Sequence, residues 1–122
     1  MKVQPLTPII GAEVSGLDLC HLTDRQFDGL SDAFTEHSVL FFRDQDAMAP
    51  ADQVAFAKRF GPLHTHPAAP TLAEQDEIFV IHAHKDSKIA NGNGWHTDVS
   101  CDEEPPLATI LQLHLLPKTG GD

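Results

Sequence analysis

Three apolar runs set the possibilities for this chain: Ser38–Phe42 (SVLFF), Glu77–His82 (EIFVIH) and Leu107–Leu116 (LATILQLHLL). Each is short and flanked by charge or proline, the pattern of a strand buried in a sheet. On the last run, Leu111, Leu113 and Leu115 alternate on one face. The runs are separated by long stretches rich in proline, glycine and histidine. Strands this far apart pair only through connections that carry structure of their own.

Two of those connections read as helices. Thr23-Asp24-Arg25-Gln26 is a capping box, with a hydroxyl for the third amide of the helix and a glutamine that reaches back. Phe27, Leu30 and Phe34 then repeat at helical spacing, and the helix is expected to end near His37. Pro50 suits the first position of a second helix, with Val54, Ala57 and Phe60 as its packed face and Gly61-Pro62 as its stop. Before the first helix, residues 3–19 read as short extended pieces broken by Pro5, Pro8, Gly11 and Gly16. Residues 63–70 read as an irregular loop, and residues 85–94 as a polar loop whose Asn-Gly pairs favour positive φ.

Three separated strands and two helices do not close a sheet, and Pro117–Asp122 reads as a turn. A domain ends when its layers are covered. The expectation is therefore that residues 1–122 are the N-terminal part of a longer protein.

Composition narrows the partners. With 41% hydrophobic residues the chain can build a core. A formal charge of −10, from 18 acidic against 8 basic residues, argues against nucleic acid or an anionic membrane as the main partner. No apolar run approaches the ~20 residues of a membrane span, and no signal-peptide core is present, so the expected compartment is the cytoplasm. Cys20 and Cys101 form no C-x-x-C and read as thiols.

Histidine is the compositional oddity, with 8 in the chain, and His64, His66, His82, His84 and His96 fall close together. His96-Thr97-Asp98 admits three readings: an exposed turn, a hydrogen-bonded pair, or two legs of a metal site. On an extended backbone, residues i and i+2 project to one side, so imidazole and carboxylate reach one ion together. A second histidine would complete the facial triad of non-haem Fe(II) enzymes, which leaves coordination positions open for co-substrates. In that arrangement Trp95 points the other way and packs into the sheet.

The surrounding segments decide which reading is pursued. IGAEVSGLDL (10–19), HSVLFFRDQ (37–45), AFAKRFGPLHTHP (55–67), NGWHTDVS (93–100) and LPKTGGD (116–122) occur in an order and at spacings that resemble the taurine dioxygenase family of Fe(II)- and 2-oxoglutarate-dependent oxygenases. Members hydroxylate sulfonates, and relatives cleave sulfate esters or herbicides. The resemblance implies a mainly β fold with α, here the N-terminal part of a double-stranded β-helix (jelly roll) with flanking helices. It implies His96 and Asp98 as iron ligands, His66 as the group that holds the acidic end of the substrate, and Asn93 as a further substrate contact. His64, two positions before His66, is expected to be structural or to support the groups around the site.

The implied reaction couples oxidative decarboxylation of 2-oxoglutarate by molecular oxygen to hydroxylation of a small anionic organic substrate. Taurine-specific members carry a tyrosine three residues after the substrate histidine; Ala69 stands there, and the chain has no tyrosine. That departure bears on which acid is the substrate. His114 is not taken as the third ligand, because the family's second histidine and its 2-oxoglutarate-binding arginine lie far downstream, past Asp122. Full-length members form homo-oligomers. Two rival expectations remain: a catalytically inactive fragment, and a small non-enzymatic domain that binds a metal or a protein.

Overall fold

The computed structural model describes residues 1–65, 77–84, 86–88 and 94–119. The expectations for His66, Ala69 and Asn93 lie outside these residues. The chain divides into two compact units, Met1–Ala47 and Met48–Asp122.

The first unit is a three-stranded sheet with one helix. β1 (Lys2–Pro5) pairs antiparallel with β2 (Ala12–Ser15), in the register Val3 opposite Val14 and Pro5 opposite Ala12. These are the short extended pieces expected of residues 3–19. In the connection, Thr7 Oγ1 accepts from the Ile10 amide at 2.9 Å, and the Leu6 amide donates to the Gly11 carbonyl at 2.9 Å. A single 3-10 turn, Leu19–His21, follows β2.

Helix α1 (Asp24–His37) starts where the capping box places it. The Gln26 amide donates to Thr23 Oγ1 at 3.3 Å, and the Thr23 amide donates to Gln26 Oε1 at 2.9 Å. Leu30 is 1% exposed and Ala33 is also buried, while Phe27 and Phe34 flank them half-buried. The buried stripe is thus centred on Leu30 and Ala33. Ser38 ends the helix in the left-handed region (φ 62°), its amide bonded to the Phe34 carbonyl at 2.8 Å.

That reversal delivers β3 (Leu40–Phe41), which pairs parallel to β2 through Ala12–Leu40 and Glu13–Phe41. The parallel pairing needs a crossover, and α1 supplies it. β2 is therefore central, and Ala12 (0% exposed) and Val14 are the most buried side chains of the sheet. Arg43 Nε donates to Glu13 Oε2 at 2.8 Å across the β2–β3 pair. The expected buried strand over Ser38–Phe42 is corrected here. Among the described residues only two join the ladder, Phe41 is exposed, and β3 is paired on one side alone.

In the second unit, α2 (Pro50–Lys58) begins with Pro50 at its first turn, as expected. Val54 and Phe56 are its buried residues; Ala57 and Phe60 are half-buried, so the expected face is displaced toward Phe56. Phe56 and Phe60 meet edge to face at 5.4 Å and 89°. The chain leaves the helix before Gly61.

The expected strands at Glu77–His82 and Leu107–Leu116 do not form among the described residues. Both segments are open chain outside any sheet. The reason is physical: an apolar run becomes a strand only when a neighbouring backbone takes its N–H and C=O groups. Leu111, Leu113 and Leu115 accordingly face solvent, Leu115 at 80% exposure. Gln112 ties the last segment to Met48. Gln112 Oε1 accepts from the Met48 amide at 2.8 Å and Gln112 Nε2 donates to the Met48 carbonyl at 3.1 Å.

Two predictions follow from local contacts in the first unit. Thr23→Ala removes the cap and lowers the stability of the chain by about 1 kcal/mol in urea denaturation, whereas Thr23→Ser retains it. Asp18 accepts from His21 Nδ1 at 2.9 Å and from the Cys20 amide at 2.9 Å, and these contacts, His21 first, hold its carboxyl below the usual range. A carboxyl lowered in the folded state contributes stability that is present above its unfolded value and lost as pH falls through the folded one. NMR titration of Asp18 should show that lowered midpoint, and His21→Ala should raise it.

Candidate metal and substrate site

His96 and Asp98 lie in residues 94–102, which bend and turn. The expected packing of Trp95 into a sheet is corrected: it is fully solvent-exposed (106%), and among the described residues no sheet stands beside it to receive the indole. The turn is instead held by polar contacts. The Asp102 amide donates to the Val99 carbonyl at 3.2 Å, and the Thr97 and Ser100 hydroxyls are bonded to each other. Val99 sits in the left-handed region at φ 50°, uncommon for a β-branched residue. The strained residue directly follows Asp98.

The two expected ligands are brought together. His96 Nε2 lies 3.3 Å from Asp98 Oδ1, with both side chains about half exposed. His96 Nδ1 lies 2.8 Å from the Gly94 carbonyl oxygen. A carbonyl only accepts, so Nδ1 carries the proton that makes this bond. In the neutral ring the Nε2 lone pair then faces a carboxylate oxygen. Two acceptors at that distance repel unless a proton or a cation mediates between them.

The separation fits a shared ion. Two ligands about 2.1 Å from one metal stand about 3.0 Å apart at a right angle and about 3.4 Å apart at a tetrahedral angle. The observed 3.3 Å falls in that span. One imidazole and one carboxylate form a mixed donor set suited to a divalent transition metal. Among the described residues no group of three or more His, Cys, Asp or Glu is arranged to hold an ion. His114 is turned to another use, its Nε2 accepting from Gln112 Nε2 at 3.0 Å.

A second His–Asp contact stands beside the turn. His64 Nε2 lies 3.2 Å from Asp102 Oδ2, which joins the loop after α2 to the residue that closes the turn after Asp98. His64 was expected to be structural, but its partner was not legible, because the contact depends on how two distant loops meet. His82 and His84 are exposed, with rings edge to face at 5.9 Å; His84 Nδ1 accepts from the Asp86 amide at 3.2 Å. Cys20 and Cys101 are exposed and form no disulfide with each other. No helix among the described residues is long and apolar enough to cross a membrane.

This geometry belongs to a chain that matches the family described as taurine catabolism dioxygenase TauD, TfdA family, over residues 2–122. The chain is a member of that family. It is 38% identical over its whole length to an alkylsulfatase of Acinetobacter baylyi, of which it covers 38%. It is 29% identical, again over its whole length, to the alpha-ketoglutarate-dependent sulfonate dioxygenase of Saccharomyces cerevisiae, of which it covers 32%. Among solved structures it resembles a putative alpha-ketoglutarate-dependent taurine dioxygenase from Burkholderia xenovorans, at TM-score 0.68 and 33% identity, over 85% of this chain and 37% of that one. The chain therefore spans roughly a third to two-fifths of the length of the relatives it matches.

The His64–Asp102 contact is partly exposed, so its expected worth is small. A double-mutant cycle on His64→Gln and Asp102→Asn should give a coupling of about 0.2–1 kcal/mol that shrinks at high salt.

Proposed function

We propose that residues 1–122 form the N-terminal part of an Fe(II)- and 2-oxoglutarate-dependent dioxygenase that hydroxylates a small sulfonate, sulfate ester or related organic acid. The single observation that carries this reading is the convergence of His96 Nε2 and Asp98 Oδ1 at 3.3 Å, with the far nitrogen of the ring committed to a backbone carbonyl. Membership in the TauD, TfdA family and likeness to enzymes named for sulfonates and alkyl sulfates support the substrate class. In this reading residues 1–122 belong to the N-terminal part of a jelly roll with flanking helices.

His96 and Asp98 would hold the iron. When bound, it supplies the one-electron chemistry with molecular oxygen and 2-oxoglutarate that side chains cannot perform. The residues of this chain do the rest by position. The Gly94 carbonyl keeps the His96 proton on Nδ1 and leaves Nε2 for the metal. Asp98 contributes the charge that offsets part of the dication. His66 is proposed to hold the acidic group of the substrate, with Asn93 as a second polar contact. Ala69, in place of a tyrosine, removes one phenolic donor from that pocket and favours an acid other than taurine itself. The cytoplasm is the proposed compartment, with Cys20 and Cys101 as reduced thiols.

A second reading is favoured by one observation: among the described residues the pair has no third metal-binding side chain beside it. Two ligands hold an ion less tightly than three, so the 122-residue chain should bind Mn(II) or Fe(II) weakly. It should release no succinate from 2-oxoglutarate by itself. Calorimetric titration of the chain, His96→Ala and Asp98→Asn is expected to show weak binding that either substitution abolishes. Unchanged binding in both variants overturns the ligand assignment, and succinate release coupled to oxygen uptake overturns the inactive-fragment reading.

A further inference from the structure

We infer that His64 is a positioning residue for the metal pair, acting through Asp102: their contact fastens the turn that carries His96 and Asp98 to the loop leaving α2. The inference rests on the metal reading of His96 and Asp98 and adds to it what holds the pair in place.

Little else anchors the ligand turn. From Gly94 to Asp102 every residue is exposed except Val99, which is half-buried. The turn's hydrogen bonds close on themselves: His96 to Gly94, Thr97 to Ser100, and the Asp102 amide to the Val99 carbonyl. The His96–Asp98 and Cys101–Asp102 contacts are internal as well. Bonds of this kind fix the shape of a turn and leave its place in the molecule open. Among the described residues one polar contact leaves the turn, His64 Nε2 to Asp102 Oδ2 at 3.2 Å. A carboxylate only accepts, so His64 donates.

The far end of that contact is firmer. The His64 side chain is 27% exposed, against 43% for Asp102. It follows shortly after α2, whose Val54 and Phe56 are buried and whose end is carried on by the Phe60 and Gly61 amides donating to Ala57 and Lys58. At the near end, the Asp102 amide is bonded to Val99, the residue directly after Asp98. One side chain thus ties the neighbour of a ligand to the helix exit. The tie is worth little to global stability because its gain is offset by the entropy of ordering the turn. Its value is geometric. Two side chains do not fill a metal's coordination, so further ligands come from outside the turn, and its placement decides whether they reach the ion.

The test uses the full 122-residue chain and three variants, His64→Leu, Asp102→Ala and His64→Gln. The last keeps an N–H donor at a reach close to that of Nε2. The first readout, without metal, is the ¹⁵N relaxation order parameter of the turn amides, with the amides of α2 as the reference for an intact fold. The second is the broadening that Mn(II) bound at the pair causes at the Gly61 and Leu63 amides relative to the Thr97 amide. In the wild type and His64→Gln the turn should stay above the flexible limit of about 0.6. In His64→Leu and Asp102→Ala it should fall below about 0.6 while α2 is unchanged. In those two variants Mn(II) should still broaden Thr97, because both ligands lie in the turn, and its effect on Gly61 and Leu63 should weaken.

Turn amides that stay above that limit in His64→Leu and Asp102→Ala overturn the inference, as does a wild-type turn already below it. A His64→Gln chain that behaves like His64→Leu overturns it too. If His64→Leu fails to fold, Asp102→Ala decides alone, since it alters only the exposed end of the contact. Mn(II) broadening that His96→Ala leaves unchanged overturns the metal reading of the pair and leaves the hold of His64 on the turn standing.

Discussion

A peptide backbone away from water needs partners for its N–H and C=O groups, and the architecture of this chain follows from where such partners exist. β2 has them on both sides. β1 lies antiparallel to it, β3 lies parallel to it, and α1 covers the crossover between. With both edges of β2 satisfied, Ala12 and Val14 are withdrawn from solvent and Leu30 of α1 is buried in the same unit. Beyond Phe41 the described residues contain no further ladder. The later apolar runs keep the composition of strands without the pairing, and their leucines stay wet.

The same economy of backbone groups governs the candidate site. His96 and Asp98 are not held by a core, since both are about half exposed. They are held by a turn: the Asp102–Val99 hydrogen bond, the Thr97–Ser100 hydroxyl contact and the Gly94 carbonyl on the imidazole. Val99, forced into the left-handed region, shows that the turn is imposed on its residues and not chosen by them. Strain beside a ligand is tolerable where the surrounding contacts over-determine the geometry.

How much of this was legible in the sequence depended on range. The Thr23–Gln26 box and Pro50 are local signals, and both helices begin where those residues say. The strands were less legible. Alternation at Leu111, Leu113 and Leu115 tells which face can be buried, but not whether a neighbour arrives to bury it. Trp95 was misplaced for the same reason. Spacing on an extended backbone predicts His96 beside Asp98, but a turn is what brings them together; the metal reading came from the flanking family-like segments and not from the H-x-D triplet. His64–Asp102 and His96–Gly94 were illegible, because one depends on two loops meeting and the other on the local course of the backbone and the ring's rotamer. His66 and Asn93 lie outside the described residues, so their roles rest on family likeness.

Gln112 carries a consequence for how this sequence can drift. Its carboxamide meets both the amide and the carbonyl of Met48, one residue's side chain imitating a peptide unit of a strand. That double bond pattern needs a donor and an acceptor at a fixed reach. Glutamate keeps the reach and loses the donor, and asparagine keeps both groups and is one carbon short. Histidine offers the pair of functions at the wrong spacing. A substitution at 112 therefore costs this segment its tie to Met48, which no exchange among the exposed flanking leucines does.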